Sequence, residues 1–440
     1  MEAGTHVPKG SADFCLDVSG FNVHQHRREM ADPVREIVNL KLLIYAHSWA
    51  PAVGGVEATT STLAEGLAKW SDSGARPSIQ VTVVTLTAAA GMDDSLVPFS
   101  VVRRPSVWRL VQLIRSTDIL HLAGPALLPL ALGRLLKKRT VLEHHNYQSM
   151  CPNGLLIHKT DLTICPGHFL AGRFKECIRC NSETLGRRRS MLKLLLAFPR
   201  RWLAKRATAN VAPTCHVKAR VALPRTRVIH HGVAHADLST ELLTNPPGGP
   251  VCFAFIGRLV KEKGVSDLLR SAHALAAEGY EFRLKIVGDG PERAALEILV
   301  EDLDLKKHTE FTGAVSAASV SRVLTEATAV VIPSTWEEVA GLVALEQMMQ
   351  GRLVIAADVG GLGETVNGFG LKFPPGDITA LKVCMQKTVE NPGASIQMRM
   401  KARINAAREF SEERMVKEHL QLYCRLMRIQ TRPRKQNAGI

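Results

Sequence analysis

The chain has 440 residues, 46% of them hydrophobic, with 56 Lys and Arg against 41 Asp and Glu for a net charge of +15. That length and apolar content suit two ordinary domain cores, and the positive surplus favours an anionic partner such as a nucleotide, a lipid surface or a nucleic acid. The one stretch near membrane-spanning length, 119–136, is interrupted by His121, Gly124, Pro125, Pro129 and Arg134 and reads as a strand, a loop and a helix start, so a soluble or peripheral protein is expected.

Residues 1–38 are polar and lack the apolar run of a signal peptide, so a disordered extension and a cytoplasmic location are expected. From residue 39, strand-length apolar runs alternate with helix-length amphipathic ones. "NLKLLIYAHS" predicts a strand, "VEATTSTLAEGLAKW" a helix and "IQVTVVTLT" a second strand, a βαβ pattern that implies a parallel sheet. "TELLTNPPGGP" interrupts the alternation and reads as a linker. A second series follows in "VCFAFIGRL", "FRLKIVGDG", "TEFTGAV", "TAVVIPST", "LVIAADVGG" and "GFGLKFPPGD". The predicted fold class is α/β, with Rossmann-like domains at 39–235 and 251–410, a linker at 236–250, a Cys-rich insertion at 151–190 and a C-terminal helix and basic tail at 411–440. One long helical pattern, Ser395 to Ile429, is placed to pack back across the first domain.

Ligands of such sheets bind outside the C-terminal strand ends, where helix N-termini present free amides. "PAVGGVE", "GRLVKEKG", "VGDGPE" and "PSTWEE" all fall there. Gly54 and Gly55 allow backbone to approach a pyrophosphate closely, or simply make a tight turn. Arg258 and Lys263 can neutralise a diphosphate, although alone they also fit a solvated charge run. In "PSTWEEVAGLVALEQMMQG", Glu337 and Glu338 precede an apolar helical run that carries Glu346 in its middle.

These segments, with "GGLGETV" after them and "EHHNYQSMCP" and "VIHHGV" before them, resemble in order and spacing the retaining GT-B glycosyltransferases of family 4, from about residue 39 to 410. The resemblance implies two Rossmann-like domains facing a central cleft. It also implies transfer of a sugar from a nucleoside diphosphate with retention by same-face attack, cationic side chains replacing a metal, so that no cofactor is required for catalysis. Glu346 would accept from the ribose hydroxyls and Glu338 would lie beside the transferred sugar. Gly54, Gly55, Gly288, Gly341, Leu342 and Val343 would border the donor, Arg258 and Lys263 would hold the diphosphate, and His145 would be the active-site histidine, with His144 its neighbour in sequence. Glu338 would precede the helix and Glu346 lie about 12 Å along it at 1.5 Å per residue, matching sugar and ribose on either side of a diphosphate. A capping role for Glu337 or Glu338 with a solvated Glu346 is the alternative. Four residues depart from the family pattern: Asn146 for Asp, His231 for Asn, Ala340 for Phe and Gly363 for Pro.

Cys151, Cys165, Cys177 and Cys180 have a spacing that suits a structural Zn²⁺ pinning the insertion, with His158 and His168 as spare ligands. Packed thiols, or an iron–sulfur site, are the alternatives. Between Arg187 and Arg206 eight basic residues and no acid are interleaved with Leu, Phe and Trp202, which suits either an anionic membrane surface or a packed helix with a solvated basic face. The function expected is a retaining hexosyltransferase of polysaccharide or cell-envelope biosynthesis, acting on a carbohydrate or lipid-linked acceptor at the inner face of a membrane. A GT-B sugar-nucleotide epimerase and a zinc-stapled nucleic-acid-binding protein are the rivals, and no nucleic-acid partner is expected because no binding motif or stacking platform is present.

Overall fold

A computed structural model describes residues 39–52, 54–73, 77–158, 161–233 and 249–431. The expected N-terminal extension, most of the linker and the end of the basic tail lie outside the described residues.

The first sheet has seven strands: β1 (Asn39–Ala46), β2 (Ser78–Thr85), β3 (Ser100–Arg103), β4 (Ile119–Ala123), β5 (Arg139–Glu143), β6 (Ala209–Ala212) and β7 (Thr226–Val228). They lie in the order 3-2-1-4-5-6-7 and pair in parallel. The second has six: β8 (Val251–Ile256), β9 (Phe282–Val287), β10 (Thr309–Gly313), β11 (Ala329–Ile332), β12 (Leu353–Ala357) and β13 (Leu371–Phe373). Their order is 10-9-8-11-12-13, again parallel. Helices on both faces explain why central strands read as unbroken apolar runs: every residue of β4 and β12 is buried. In each sheet the strand order reverses once, between β1 and β4 and between β8 and β11, and a crevice opens above such a switch point. The loops holding Gly54 and Gly55, Arg258 and Lys263, and Glu337 and Glu338 follow β1, β8 and β11, three of those four strands.

The helical pattern expected from Ser395 to Ile429 is two helices, Pro392–Glu409 and Glu412–Thr431. The break is tertiary. Val233 donates to the Phe410 carbonyl at 2.8 Å and accepts from the Glu412 amide at 3.2 Å, so this segment is tied to the first domain where the helix would otherwise continue. Gly232 permits the approach, since a Cβ there would sit 2.8 Å from the Ser411 carbonyl oxygen and 2.9 Å from Glu412 Cα. The second helix then packs back on the first domain, with Met415, Val416, Leu420, Tyr423 and Leu426 buried among Leu40, Leu42 and Ile44. Burying such a side chain contributes roughly 1.5–3 kcal/mol, so the helix is an integral part of the first domain's core.

Candidate active site

The two domains are joined at the floor of the cleft by polar contacts of specific geometry. Glu364, on helix Gly360–Val366, accepts from the Cys215 and His216 amides at 2.8 Å each, capping helix Cys215–Val221 of the other domain. Thr214 Oγ1 donates to the Val339 carbonyl at 3.0 Å, and Arg220 Nε donates to Glu337 Oε2 at 2.9 Å. Glu337 is therefore an interdomain ion-pair partner.

Glu338 turns the other way. Its Oε1 accepts from Lys263 Nζ at 2.8 Å and from the Ser334 hydroxyl, with only 10% of its side chain exposed. Lys263 Nζ also stands 5.9 Å from the centre of the Trp336 ring. Arg258, in the same loop after β8, is exposed. Gly288, at φ +139°, brings the loop after β9 against it, since a Cβ there would collide with the Gly257 carbonyl.

The helix bearing the third acid starts later than a continuous run would. It spans Leu342–Met349, with Gly341 in the left-handed region at φ 67° and ψ 59° as its cap. Glu338 precedes the helix, as expected, but only Leu342 to Glu346 lies along the axis, about 6 Å rather than 12 Å. The first-turn amides of Leu342 and Val343 have no intrahelical acceptor and point toward the helix N-terminus. Gly55 faces this end from the other domain, a Cβ on it falling 3.0 Å from Leu342 Cδ1, while Gly54 caps helix Gly55–Asp72. Glu346 is half-buried and has no hydrogen-bond or ion-pair partner among the described residues; burial alone pushes its carboxyl up to about 7.

On the opposite wall, β5 ends at Glu143 and delivers three residues to different places. His144 turns into the core, where its Nε2 meets Asn210 Oδ1 at 3.0 Å and burial lowers its pKa to about 4. His145 Nε2 stands 3.6 Å from Glu143 Oε2, and its ring stacks on His231 at 5.0 Å and 22°. Tyr147 is buried with an unpartnered hydroxyl, held above its ordinary value first by burial and then by Glu337, so the His145 loop faces the acids after β11. A cavity of about 580 Å³ lies over the β1/β4 switch point, lined by Tyr45, His47, Gly124, Leu127 and Asn146 among others.

Three departures from the family pattern have local explanations, and Ala340 has none in the structure. Asn146 Oδ1 accepts from the Gln148 amide at 2.9 Å, and His231 provides the ring stacked on His145. Gly363 leaves room for the Asp358 side chain.

Cys151, Cys165, Cys177 and Cys180 are all buried. Burial first, then the neighbouring Cys151, Cys165 and Cys180, push the Cys177 thiol up to about 12. Three residues of the insertion with ligand atoms all within 4.8 Å of one another are His158, Cys165 and His168, so the two spare histidines gather on Cys165. Soft thiols with imidazoles are a zinc donor set.

Sequence reading missed Glu143, Tyr147 and Arg220: Glu143 and Arg220 meet partners from distant parts of the chain, and Tyr147 is buried in the core with its hydroxyl unpartnered. Only the acid directly before "HHNY" was visible as a signal.

Residues 244–409 match the family model described as glycosyl transferases group 1. The chain is 33% identical over 165 residues to the 2-deoxystreptamine glucosyltransferase of Streptomyces kanamyceticus, covering 37% of this chain and 41% of that protein. It is 29% identical over 190 residues to the glycogen synthase of Mycobacterium tuberculosis, covering 43% and 46%. The chain thus spans less than half the length of these curated relatives. Among solved structures, Anabaena HepE in complex with UDP aligns with a TM-score of 0.64 at 16% identity, covering 87% of this chain and 99% of that one. Sucrose-phosphate synthase from Thermosynechococcus elongatus aligns at 0.66 and 19%, covering 89% and 100%. The chain has the GT-B fold of these neighbours, and residues 244–409 of its second domain are similar to the glycosyl transferases group 1.

Proposed function

We propose that the protein transfers a sugar from a nucleoside diphosphate donor, with retention of configuration, to a carbohydrate or lipid-linked acceptor. The observation that carries this reading is Glu346, a half-buried carboxylate without a partner on the helix whose free N-terminus faces Gly55 across the cleft. A carboxylate in that state is strained until hydroxyl donors reach it, and a diphosphate at the adjacent amides places the ribose there. Lys263 and Arg258 neutralise the diphosphate as it leaves, which is the charge stabilisation this reaction needs. Lys263 exchanges Glu338 for phosphate as the donor enters, freeing Glu338 to face the transferred sugar. His145, stacked on His231, closes the sugar subsite from the first domain. The UDP of the HepE complex supports a nucleotide donor.

The acceptor is read as lipid-linked because of helix Arg187–Arg206. It buries Ser190, Leu194, Ala197, Leu203 and Ala204 on one stripe, while Leu192, Leu195 and Trp202 are 55%, 63% and 49% exposed among its cations. That face suits an anionic membrane surface. No described helix is long and apolar enough to cross a membrane. The four-cysteine site expected from the spacing is not gathered among the described residues; His158, Cys165 and His168, whose ligand atoms lie within 4.8 Å of one another, are read instead as the nucleus of a structural zinc site that pins the insertion.

The test is a thermal-shift panel of nucleotides and sugar nucleotides, followed by assay of the stabilising donor for nucleoside diphosphate release with and without acceptors. Stabilisation by one donor class and acceptor-dependent release is the expected result. Epimer or free sugar without acceptor would replace the proposal with an epimerase.

A further inference from the structure

Beneath His145 and His231 lies a cluster whose other members, His121, Glu143 and His419, have no part in the proposed transfer. Glu143, 2% exposed, is surrounded by four imidazoles from separate parts of the chain: His121 on β4, His145, His231 after β7, and His419 on helix Glu412–Thr431. Their Nε2 atoms stand 3.0, 3.6, 3.6 and 3.8 Å from its oxygens. Only the first lies within hydrogen-bond distance. Consequently Glu143 Oε1, His145 Nε2, both ring nitrogens of His231 and His419 Nε2 are buried without a partner. Native proteins satisfy nearly all such atoms, so the cluster lacks a binding partner, and of the five it is His419 Nε2 that lies with His121 and Glu143 in one group of close ligand atoms.

The tautomers narrow what that partner is. His419 Nδ1 lies 2.9 Å from the Met415 carbonyl, which can only accept, so Nδ1 carries the proton and Nε2 aims a lone pair at Glu143. Two lone pairs facing each other across 3.8 Å are reconciled by a cation between them. Nitrogen and oxygen ligands about 2.0–2.1 Å from a tetrahedral ion lie roughly 3.3 Å from one another. The observed 3.0 and 3.8 Å edges of His121, Glu143 and His419 bracket that value, and their ligand atoms all lie within 4.8 Å of each other. Outer partners are present as well: the Tyr423 hydroxyl meets His121 Nδ1 at 2.9 Å and Met415 holds His419. Such partners orient ligand imidazoles in metal sites.

We propose that His121, Glu143 and His419 bind a divalent first-row transition-metal ion, with Zn²⁺ suited to the donor set. The ion joins β4 and β5 to the helix that returns after the second domain, and it fixes the carboxylate on which His145 rests. It is a structural ion outside the reacting atoms, and it is distinct from the thiol cluster of the insertion.

Metal content of the full chain, purified without chelator and reloaded with Co²⁺, tests this independently of activity. Thiolate ligation gives intense near-ultraviolet charge-transfer bands, whereas imidazole and carboxylate ligands give only visible d–d bands. Wild type is expected to hold one equivalent more than folded His121→Ala and His419→Ala, with equal thiolate band intensity in all three. Equal metal content in the folded variants overturns the proposal. If the variants do not fold, the wild-type spectrum decides: Co²⁺ bound at thiolates alone, or none bound, overturns it, and d–d bands of a second, thiolate-free ion sustain it.

Discussion

The unpartnered state of Glu346 predicts how donor binding depends on pH. Its carboxyl is raised from 4.5 to about 7 by burial, so the ionised form is disfavoured in the free protein and is the minority form below pH 7. A group raised in this way supports folding fully below its unfolded value and loses that contribution as pH rises through the folded one. Over that window the free protein loses about 3 kcal/mol, at 1.36 kcal/mol per unit. Ribose hydroxyls donate to the ionised form, so donor binding below pH 7 must first expel a proton. With a value near 7, the protonated fraction falls from about nine-tenths at pH 6 to about one-tenth at pH 8, so donor affinity is expected to strengthen about tenfold between them. A sugar diphosphate esterified at both ends has no second phosphate ionisation in this range, and the dependence belongs to the protein. Titration calorimetry in two buffers of different ionisation enthalpy measures both affinity and released protons. Glu346→Gln should bind more weakly by roughly 1.5–3 kcal/mol at pH 8 and show no proton release linked to this site. Wild-type affinity equal at pH 6 and pH 8, or an unchanged slope in Glu346→Gln, refutes the reasoning.

Lys263→Ala removes the ion pair to Glu338 and the cation for the diphosphate, so kcat/KM is expected to fall about 10- to 100-fold; unchanged steady-state kinetics would remove Lys263 from the donor site. Glu364→Ala leaves the Cys215 and His216 amides uncapped across the domain interface, which should lower stability by about 1–2 kcal/mol in denaturant unfolding, and no change in midpoint would show the clamp to be ornamental. Changing Arg187, Arg188, Arg189 and Lys193 to Gln should abolish salt-sensitive sedimentation with anionic liposomes, since each cation contributes about 1 kcal/mol there; equal behaviour of both proteins points to a soluble acceptor. Brief EDTA treatment should leave transfer intact, with slower loss of folded protein as structural metal is withdrawn; immediate loss restored by Mg²⁺ would contradict catalysis by cationic side chains.

What was legible in the sequence was local. The strands around both switch points read correctly because fully buried parallel strands are short apolar runs ended by Gly or polar loops, as "VCFAFIG" and "LVIAADVGG" show. Lys263 and Glu338 were both named from the family resemblance, and they meet because the turns after the neighbouring strands β8 and β11 stand above one sheet. Interdomain contacts left no such trace: Glu337 read as a possible helix cap, yet its partner Arg220 lies 117 residues away. The Ser395–Ile429 pattern read as one helix because apolar periodicity runs through Phe410 and Ser411, and the bridge from Val233 that breaks it is tertiary. The cluster around Glu143 draws on residues from 121 to 419, so no spacing rule assembles it.

The central claim is retaining transfer from a nucleotide sugar, and the most direct measurement is the anomeric configuration of the product. The full chain is incubated with the sugar nucleotide that stabilises it most and a panel of carbohydrate and lipid-linked acceptors, and the first-formed glycoside is read by NMR. The account predicts release of nucleoside diphosphate matched by a glycoside with the donor's own configuration. A glycoside of inverted configuration, or a bound donor that never yields nucleoside diphosphate with any acceptor, would contradict it.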